Sequence, residues 1–207
     1  MAETSDTVNT ITYREASLQD LDSLETIIPR SFFPVNEHIK TMFPDTPAIR
    51  AWWRGIFEEY IRNPAFYLPV AVDTVTNVIV GAAPFRGVQQ GQPFGGFMAQ
   101  HPATPDHPAE RWQRAIQTFI ENEERTVGDR DRFLIEILGV DHAYQGRGIG
   151  KQLVARLCEI ADLKGHPIFL ETSQAREFYL KQGRGFEVAS PDGKGVILLR
   201  QPTGKGN

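Results

Sequence analysis

The residues Gln145-Gly146-Arg147-Gly148-Ile149-Gly150, with Lys151 directly behind them, have the types and spacing to hold phosphate. They stand between an apolar run, Phe133 to Val140, and an amphipathic helix that starts near Gly150. Glycines let successive backbone N–H groups converge on one concavity, and a helix start adds partial positive charge. A helix start disfavours cations, so Arg147 and Lys151 at this place are best explained by a bound polyanion. Two phosphate motifs do not fit. A Walker loop would need Gly where Gln145 stands and Ser or Thr where Gln152 stands. A dinucleotide fingerprint from Gly146 would need its third glycine at Lys151, and too little chain follows for the remaining parallel strands, although Glu171 lies near the distance expected of a ribose-binding acid.

Other groups could do chemistry. Glu136 interrupts the apolar run Phe133-Leu134-Ile135-Glu136-Ile137-Leu138, where a lone carboxylate is costly unless hydrated, paired or functional. Period-two alternation puts it on the same strand face as Leu138 and Val140. It is either a general base or a carboxylate that is solvated or paired with an arginine such as Arg86. Glu171, at the end of the next apolar run, is the rival base or a group that binds a cationic substrate. Cys158 is the only cysteine and falls within a helical stripe, so it reads as a small buried hydrophobe, with no internal disulfide and no cysteine metal site. The five histidines, at 38, 101, 107, 142 and 166, lack paired ligand spacing, so no metal is expected.

Composition sets the frame for these groups. The 207 residues, 41% hydrophobic and 23% charged, suit one soluble domain with a proper core. A net charge of -4 argues against sequence-independent nucleic-acid binding. No apolar stretch approaches a membrane span, and residues 1–10 are polar without a signal-peptide core, so no membrane partner and a cytoplasmic protein are expected. The expected organisation is a flexible tail over 1–9, a single domain over 10–201 and a flexible tail over 202–207.

The elements that must position the chemistry follow from pattern. Thr10 to Arg14 alternates as an edge-like strand, and Ser17 caps a helix from Leu18 to Ile28 that ends before the breaks at Pro29 and Pro34. Thr46-Pro47 starts a second helix that runs to about Arg62 and carries Trp52, Trp53, Phe57 and Tyr60. Tyr67 to Val72 and Asn77 to Ala83 pair as antiparallel strands. Gly87 to Pro108 is the only long loop candidate, either a substrate-side lid or a packed insertion. Ala109 to Arg125 is helical. Strand Phe133 to Val140, helix Gly150 to Lys164, strand Pro167 to Thr172, a short helix holding Ala175 and Tyr179, and Gly185-Phe186-Glu187-Val188 complete the order.

That order over Asp131 to Val188, with Gln-x-x-Gly-x-Gly after a strand ending at Val140, resembles the GNAT family of acyl-CoA N-acyltransferases. Leu138-Gly139-Val140 with the turn, and Phe169-Leu170-Glu171-Thr172-Ser173, are most similar to its puromycin acetyltransferase-like branch. The resemblance implies a mixed α+β fold: a mostly antiparallel twisted sheet of six to seven strands with a splayed parallel pair, flanked by helices. It implies acetyl-CoA as cofactor, held at its pyrophosphate by the backbone of Gln145, Gly146, Arg147, Gly148, Ile149, Gly150 and Lys151. Leu138, Gly139 and Val140 would bind the pantetheine arm as an added strand, with the Leu138 N–H available to an oxyanion. Thr172 stands near where many relatives place a cofactor-binding asparagine. Glu136 falls where the family often carries a base. Tyr179 falls where it commonly carries the acid that protonates the departing thiolate, although two extra residues before Gly185-Phe186 leave Lys181 as the alternative. Phe33, Trp53 and Phe85 are expected to shape the acceptor pocket, with Glu171 beside it. The implied reaction is direct acetyl transfer to a primary amine of a small molecule. A peptide or protein acceptor and a catalytically silent acyl-CoA-binding module are the other readings, and a homodimer is possible because the family often dimerises.

Overall fold

The computed structural model describes residues 10–172, 174–190 and 196–204. The expected tail over 1–9, Ser173, and residues 205–207 of the expected second tail lie outside the described residues.

The chain forms β1 (Ile11–Glu15), a 3-10 turn at Leu18–Asp20, α1 (Leu21–Leu24), α2 (Ile27–Phe32), α3 (Glu37–Met42) and α4 (Pro47–Arg62). Next come β2 (Phe66–Tyr67), β3 (Pro69–Asp73), β4 (Val78–Ala82), β5 (Phe85–Val88), α5 (Gly96–Gln100) and α6 (Ala109–Val127). The last part is β6 (Arg132–Ile135), β7 (Gly139–Val140), α7 (Ile149–Lys164), β8 (Ile168–Glu171), α8 (Arg176–Leu180), β9 (Phe186–Val188) and β10 (Ile197–Arg200).

The expected first helix is divided. Ser17 donates its backbone N–H to Asp20 at 2.7 Å, as a capping box requires, but regular α-geometry stops at Leu24 and restarts at Ile27. Pro29 does not end the helix, because it is the third residue of α2, where a backbone N–H has no intrahelical partner to lose. The second helix spans the expected residues. The Thr46 side chain accepts from Ile49 N at 3.2 Å and Pro47 takes the first helical position. Thr46→Ala is expected to cost about 1 kcal/mol in denaturant unfolding, with no change in the slope of the transition.

The strands form two ladders, β1-β3-β4-β7 and β2-β5-β6-β8-β10-β9, with every pair antiparallel except β6 and β8. Ten segments occupy seven runs of chain, because the runs 66–73, 78–88 and 132–140 each pass from one ladder to the other. The third break is the consequential one. Ile135 pairs Phe85 and Gly139 pairs Ala82, so three residues, Glu136, Ile137 and Leu138, stand opposite two, Ala83 and Pro84. One extra residue is a bulge, and a bulge resets the alternation of side chains. Glu136 therefore does not share a face with Leu138 and Val140 as a regular strand would require. It turns toward Tyr60 of α4, whereas Leu138 and Val140 pack with the side chains of α7.

Helices cover both faces of the sheet. Leu153, Val154, Leu157 and Cys158 of α7 pack on Val80, Phe85, Phe133, Ile135 and Leu170, which buries Cys158 as expected. On the other face α1, α2 and α4 bury Leu24, Ile28, Trp53, Ile56 and Tyr60 against Val70, Val72, Ile79 and Ala82, and α6 places Phe119 over Leu134 and Phe169. No helix among the described residues is long and apolar enough to cross a membrane.

Candidate active site

β6 and β8 run parallel and paired from Phe133–Ile168 to Ile135–Leu170, after which the chain of β6 leaves for β4. The strands part at this point, and a cavity of about 750 Å³ opens there. Of the residues read from the sequence, Glu136, Leu138, Val140, Gln145, Gly146, Gly148, Ile149, Gly150, Lys151, Glu171, Thr172 and Tyr179 line it.

One end is the glycine turn. Gly146 has φ 76° and Gly148 has φ 80°, left-handed backbone that a side chain would strain, and Gly148 is the N-cap of α7. The first N–H groups of α7 have no intrahelical acceptor, and the exposed Lys151 adds charge on the same rim. The Gln145 side chain donates to Ser31 O at 3.0 Å and Val140 O at 2.9 Å, so it fastens the turn to α2 and β7. Arg147 lies outside the cavity lining: its guanidinium sits 4.8 Å from the Tyr144 ring centroid and donates to Ala143 O at 3.0 Å. Gly139 is also outside the lining and backs onto Ser31, a lining residue whose buried hydroxyl has no hydrogen-bond partner among the described residues. Gly148→Ala should cost about 1–2 kcal/mol of backbone strain, read as a lowered melting temperature together with weaker acetyl-CoA binding by titration calorimetry.

Two carboxylates stand at the split. Glu136 accepts hydrogen bonds from Tyr60 Oη and from the backbone N–H of Phe97, and an ion pair from Arg86 Nε at 3.0 Å. Arg86 is itself buried, donates to Gln100 at 2.7 Å and lies 4.4 Å from the Phe66 ring centroid. Burial works against the Arg86 charge, but Glu136 and Tyr60 outweigh it and hold the guanidinium above its usual range. Glu136 is thus paired with Arg86, a partner the sequence offers for it. Glu171 follows the last parallel pair on β8 as Glu136 does on β6, and it accepts from Asn122 Nδ2 at 2.7 Å. Burial raises its pKa, opposed by the Asn122 hydrogen bond and the charge of Arg125.

Tyr179 reaches the cavity from α8, its ring packed at 5.0 Å from Phe178 and 5.3 Å from Phe186. Burial pushes the phenol above its ordinary value, which keeps it protonated near neutrality. Lys181 is exposed, pairs with Glu177 at 3.4 Å and is absent from the lining. The two extra residues fall in the turn after α8, where Gly183 and Gly185 take φ 63° and 78°, so the helix register places Tyr179 rather than Lys181 on the cavity.

The three aromatics expected at the acceptor end do not line the cavity. Trp53 is core, stacked on Phe57 at 5.7 Å; Phe85 is core, stacked on Phe133 at 4.3 Å; Phe33 is the C-cap of α2. In their place stand Phe32, Ile39, Met42, Phe43, Phe97 and Phe119. Phe32, the last residue of α2, lines the cavity where its neighbour Phe33, the C-cap, does not. Ile39 and Met42, spaced i and i+3, could have been found by extending helical periodicity past Pro34. Phe97 comes from the 87–108 segment, which is a packed insertion that also forms a wall. Gly95 N donates to Glu123 at 2.8 Å, Trp52 Nε1 donates to Pro102 O at 2.9 Å and Thr46 Oγ1 donates to Asp106 at 2.6 Å. Among the described residues no group of His, Cys, Asp and Glu could hold a metal.

The arrangement fits acetyl-CoA on its own features: converging amides at an αL N-cap, a lysine on the rim, an orphan buried hydroxyl at Ser31 and a parted strand. Residues 114–187, a little over a third of the chain, match the family model of the acetyltransferase (GNAT) domain. No match is found among curated proteins. Solved structures share the fold. Mosquito arylalkylamine N-acetyltransferase like 5b superposes with a TM-score of 0.65 at 17% identity, over 92% of this chain and 99% of its own. Arylalkylamine N-acetyltransferase 2 from Aedes aegypti gives 0.63 at 14% identity, over 94% and 100%. The GNAT family N-acetyltransferase YhbS from Escherichia coli, solved with CoA, gives 0.53 at 16% identity, over 93% and 81%.

Proposed function

From a chain that carries a GNAT acetyltransferase domain, and so an acyltransferase that draws on acetyl-CoA, we propose an N-acetyltransferase acting on the primary amine of a small molecule by direct attack in a ternary complex. The observation that carries the reading is one cavity running from the N-terminus of α7 and Lys151, past the bulge at Leu138, to two carboxylates and Tyr179. Bound acetyl-CoA supplies an activated acetyl group. The protein's part is to hold its pyrophosphate at the turn, to offer backbone groups of Leu138–Val140 to the arm, to accept a proton from the amine and to donate one to the thiolate.

Tyr179 is the acid in this reading. Cys158, the only thiol, is buried and its pKa is pushed up to about 11, which suits direct attack rather than an acyl-enzyme. The mosquito proteins are by name arylalkylamine acetyltransferases, whereas a neighbour from Corynebacterium glutamicum is by name a histone acetyltransferase HPA2 and related acetyltransferase. Placement in the puromycin acetyltransferase-like branch rests on Leu138-Gly139-Val140 with the turn and on Phe169 to Ser173, and a cytoplasmic setting is part of the same reading.

Thiol release from acetyl-CoA, measured across small amines, peptides and no amine, tests the proposal. Turnover that requires a small amine supports it. Turnover with peptides alone moves the acceptor to protein, and tight acetyl-CoA binding without turnover makes the chain a silent binding module.

A further inference from the structure

The two carboxylates at the split have different duties. Each stands one residue beyond the last parallel pair, Ile135–Leu170, and both line the cavity. The Glu136 side chain is 2% exposed and serves as counter-ion to Arg86, which is 1% exposed. A proton placed on Glu136 would leave the buried guanidinium only the more distant Glu59, at 3.7 Å, as counter-charge. Its three donors, Tyr60, Arg86 and Phe97, also hold α4, β5 and α5 together, so its place is structural.

Glu171 makes no ion pair within the described residues. It accepts from Asn122, which in turn accepts from Arg125 Nη2 at 2.5 Å, so α6 fixes the carboxylate without neutralising it directly. The cavity it lines is mostly apolar, with Phe32, Ile39, Met42, Phe97 and Phe119, and its other polar side chains include Asn36, His38 and Gln174. Lys151, the one lysine of the lining, belongs to the phosphate turn.

We propose that the acceptor is a primary amine carried on an apolar aryl or alkyl body, and that Glu171 receives its ammonium and takes its proton. The inference rests on the acetyl-transfer reading above. An ammonium brought into an apolar chamber needs a counter-charge, and Glu171 is the carboxylate there that is not already committed to an arginine. A polyamine would bring further ammonium groups into a lining whose other carboxylate, Glu136, is already paired with Arg86, and a peptide would bring amides against its many apolar side chains. In the reaction the ammonium gives one proton to Glu171 and the freed nitrogen lone pair forms the C–N bond. The C–S bond breaks with its electrons on sulfur, Tyr179 protonates the sulfur, and the second N–H proton restores the phenol. The net change is an amide, a thiol and one proton released through Glu171.

The test combines turnover with direct binding. Thiol release is measured with butylamine, pentylamine, hexylamine, 2-phenylethylamine, spermidine and a lysine peptide, and the affinity of hexylamine for wild type and Glu171→Gln is read by calorimetry. The expected kcat/KM rises about fourfold per methylene, from about 0.8 kcal/mol each, and spermidine and the peptide are poorer by roughly ten- to a hundredfold. Glu171→Gln is expected to bind acetyl-CoA, to lose hexylamine binding and to lose the acidic limb of the kcat/KM pH profile. Preference for spermidine or peptide, a flat chain-length series, or wild-type hexylamine affinity in Glu171→Gln would each overturn the acceptor assignment while leaving acetyl transfer standing. Absence of thiol release with every amine would overturn the acetyl-transfer reading itself. If Glu171→Gln does not fold, the chain-length series in wild type decides.

Discussion

Tyr179→Phe lowers kcat for thiol release by about 10²- to 10⁴-fold, the usual contribution of a positioned acid, and leaves acetyl-CoA binding in place. The expected effect is large because one atom carries it. Tyr179 is buried, its ring is held between Phe178 and Phe186, and phenylalanine fills the same space without the hydroxyl. A phenol raised by burial stays protonated at neutral pH, so Tyr179 holds a proton to give when the thiolate departs. Lys181→Met serves as the contrast. Lys181 is exposed and pairs only with Glu177 on the surface, so its loss should change kcat by less than about twofold. Steady-state kinetics with the amine varied at saturating acetyl-CoA separates kcat from KM in both variants.

The second large effect is on stability. Glu123 of α6 and Arg132 of β6 are both 0% exposed and joined at 2.7 Å, and Glu123 also accepts the Gly95 N–H that anchors the 87–108 insertion. Glu123→Ala leaves a buried guanidinium without a counter-charge, which costs about 3–5 kcal/mol. A domain of this kind has only about 5–15 kcal/mol in total, so the variant should lose a large share of its folded state on mild heating. The paired replacement Glu123→Leu with Arg132→Met removes both charges, and its stability should return toward wild type. Urea unfolding of the two variants checks the sign and size. Equal losses in both would mean that the charge pair is not what the single change disturbs.

The chemistry-bearing half of the chain was legible because its signals are local. The turn at Gln145–Gly150 carries its own glycines, α7 its own period and Thr46-Pro47 its own cap, and each forms the element its residues dictate. Glu136 shows where local reading stops. Alternation along Phe133–Val140 placed it with Leu138, but the one-residue excess over Ala83-Pro84 exists only once two strands are in register, and no period in a single strand can reveal it. Arg86 was legible as a possible partner because a buried carboxylate demands one. The acceptor wall was not, since Phe32, Phe97 and Phe119 come from three separate elements and meet only through tertiary packing. Trp53 and Phe85, the aromatics the sequence favoured, went to the core, the commoner fate of large apolar side chains on packed elements.

A single-turnover experiment with enzyme in excess over acetyl-CoA tests the central claim most directly. Direct transfer predicts that thiol appears only when an amine is added, and that the acetyl group is then recovered on the amine nitrogen. Thiol released equally without amine, or an acetyl group retained on the protein, would contradict it.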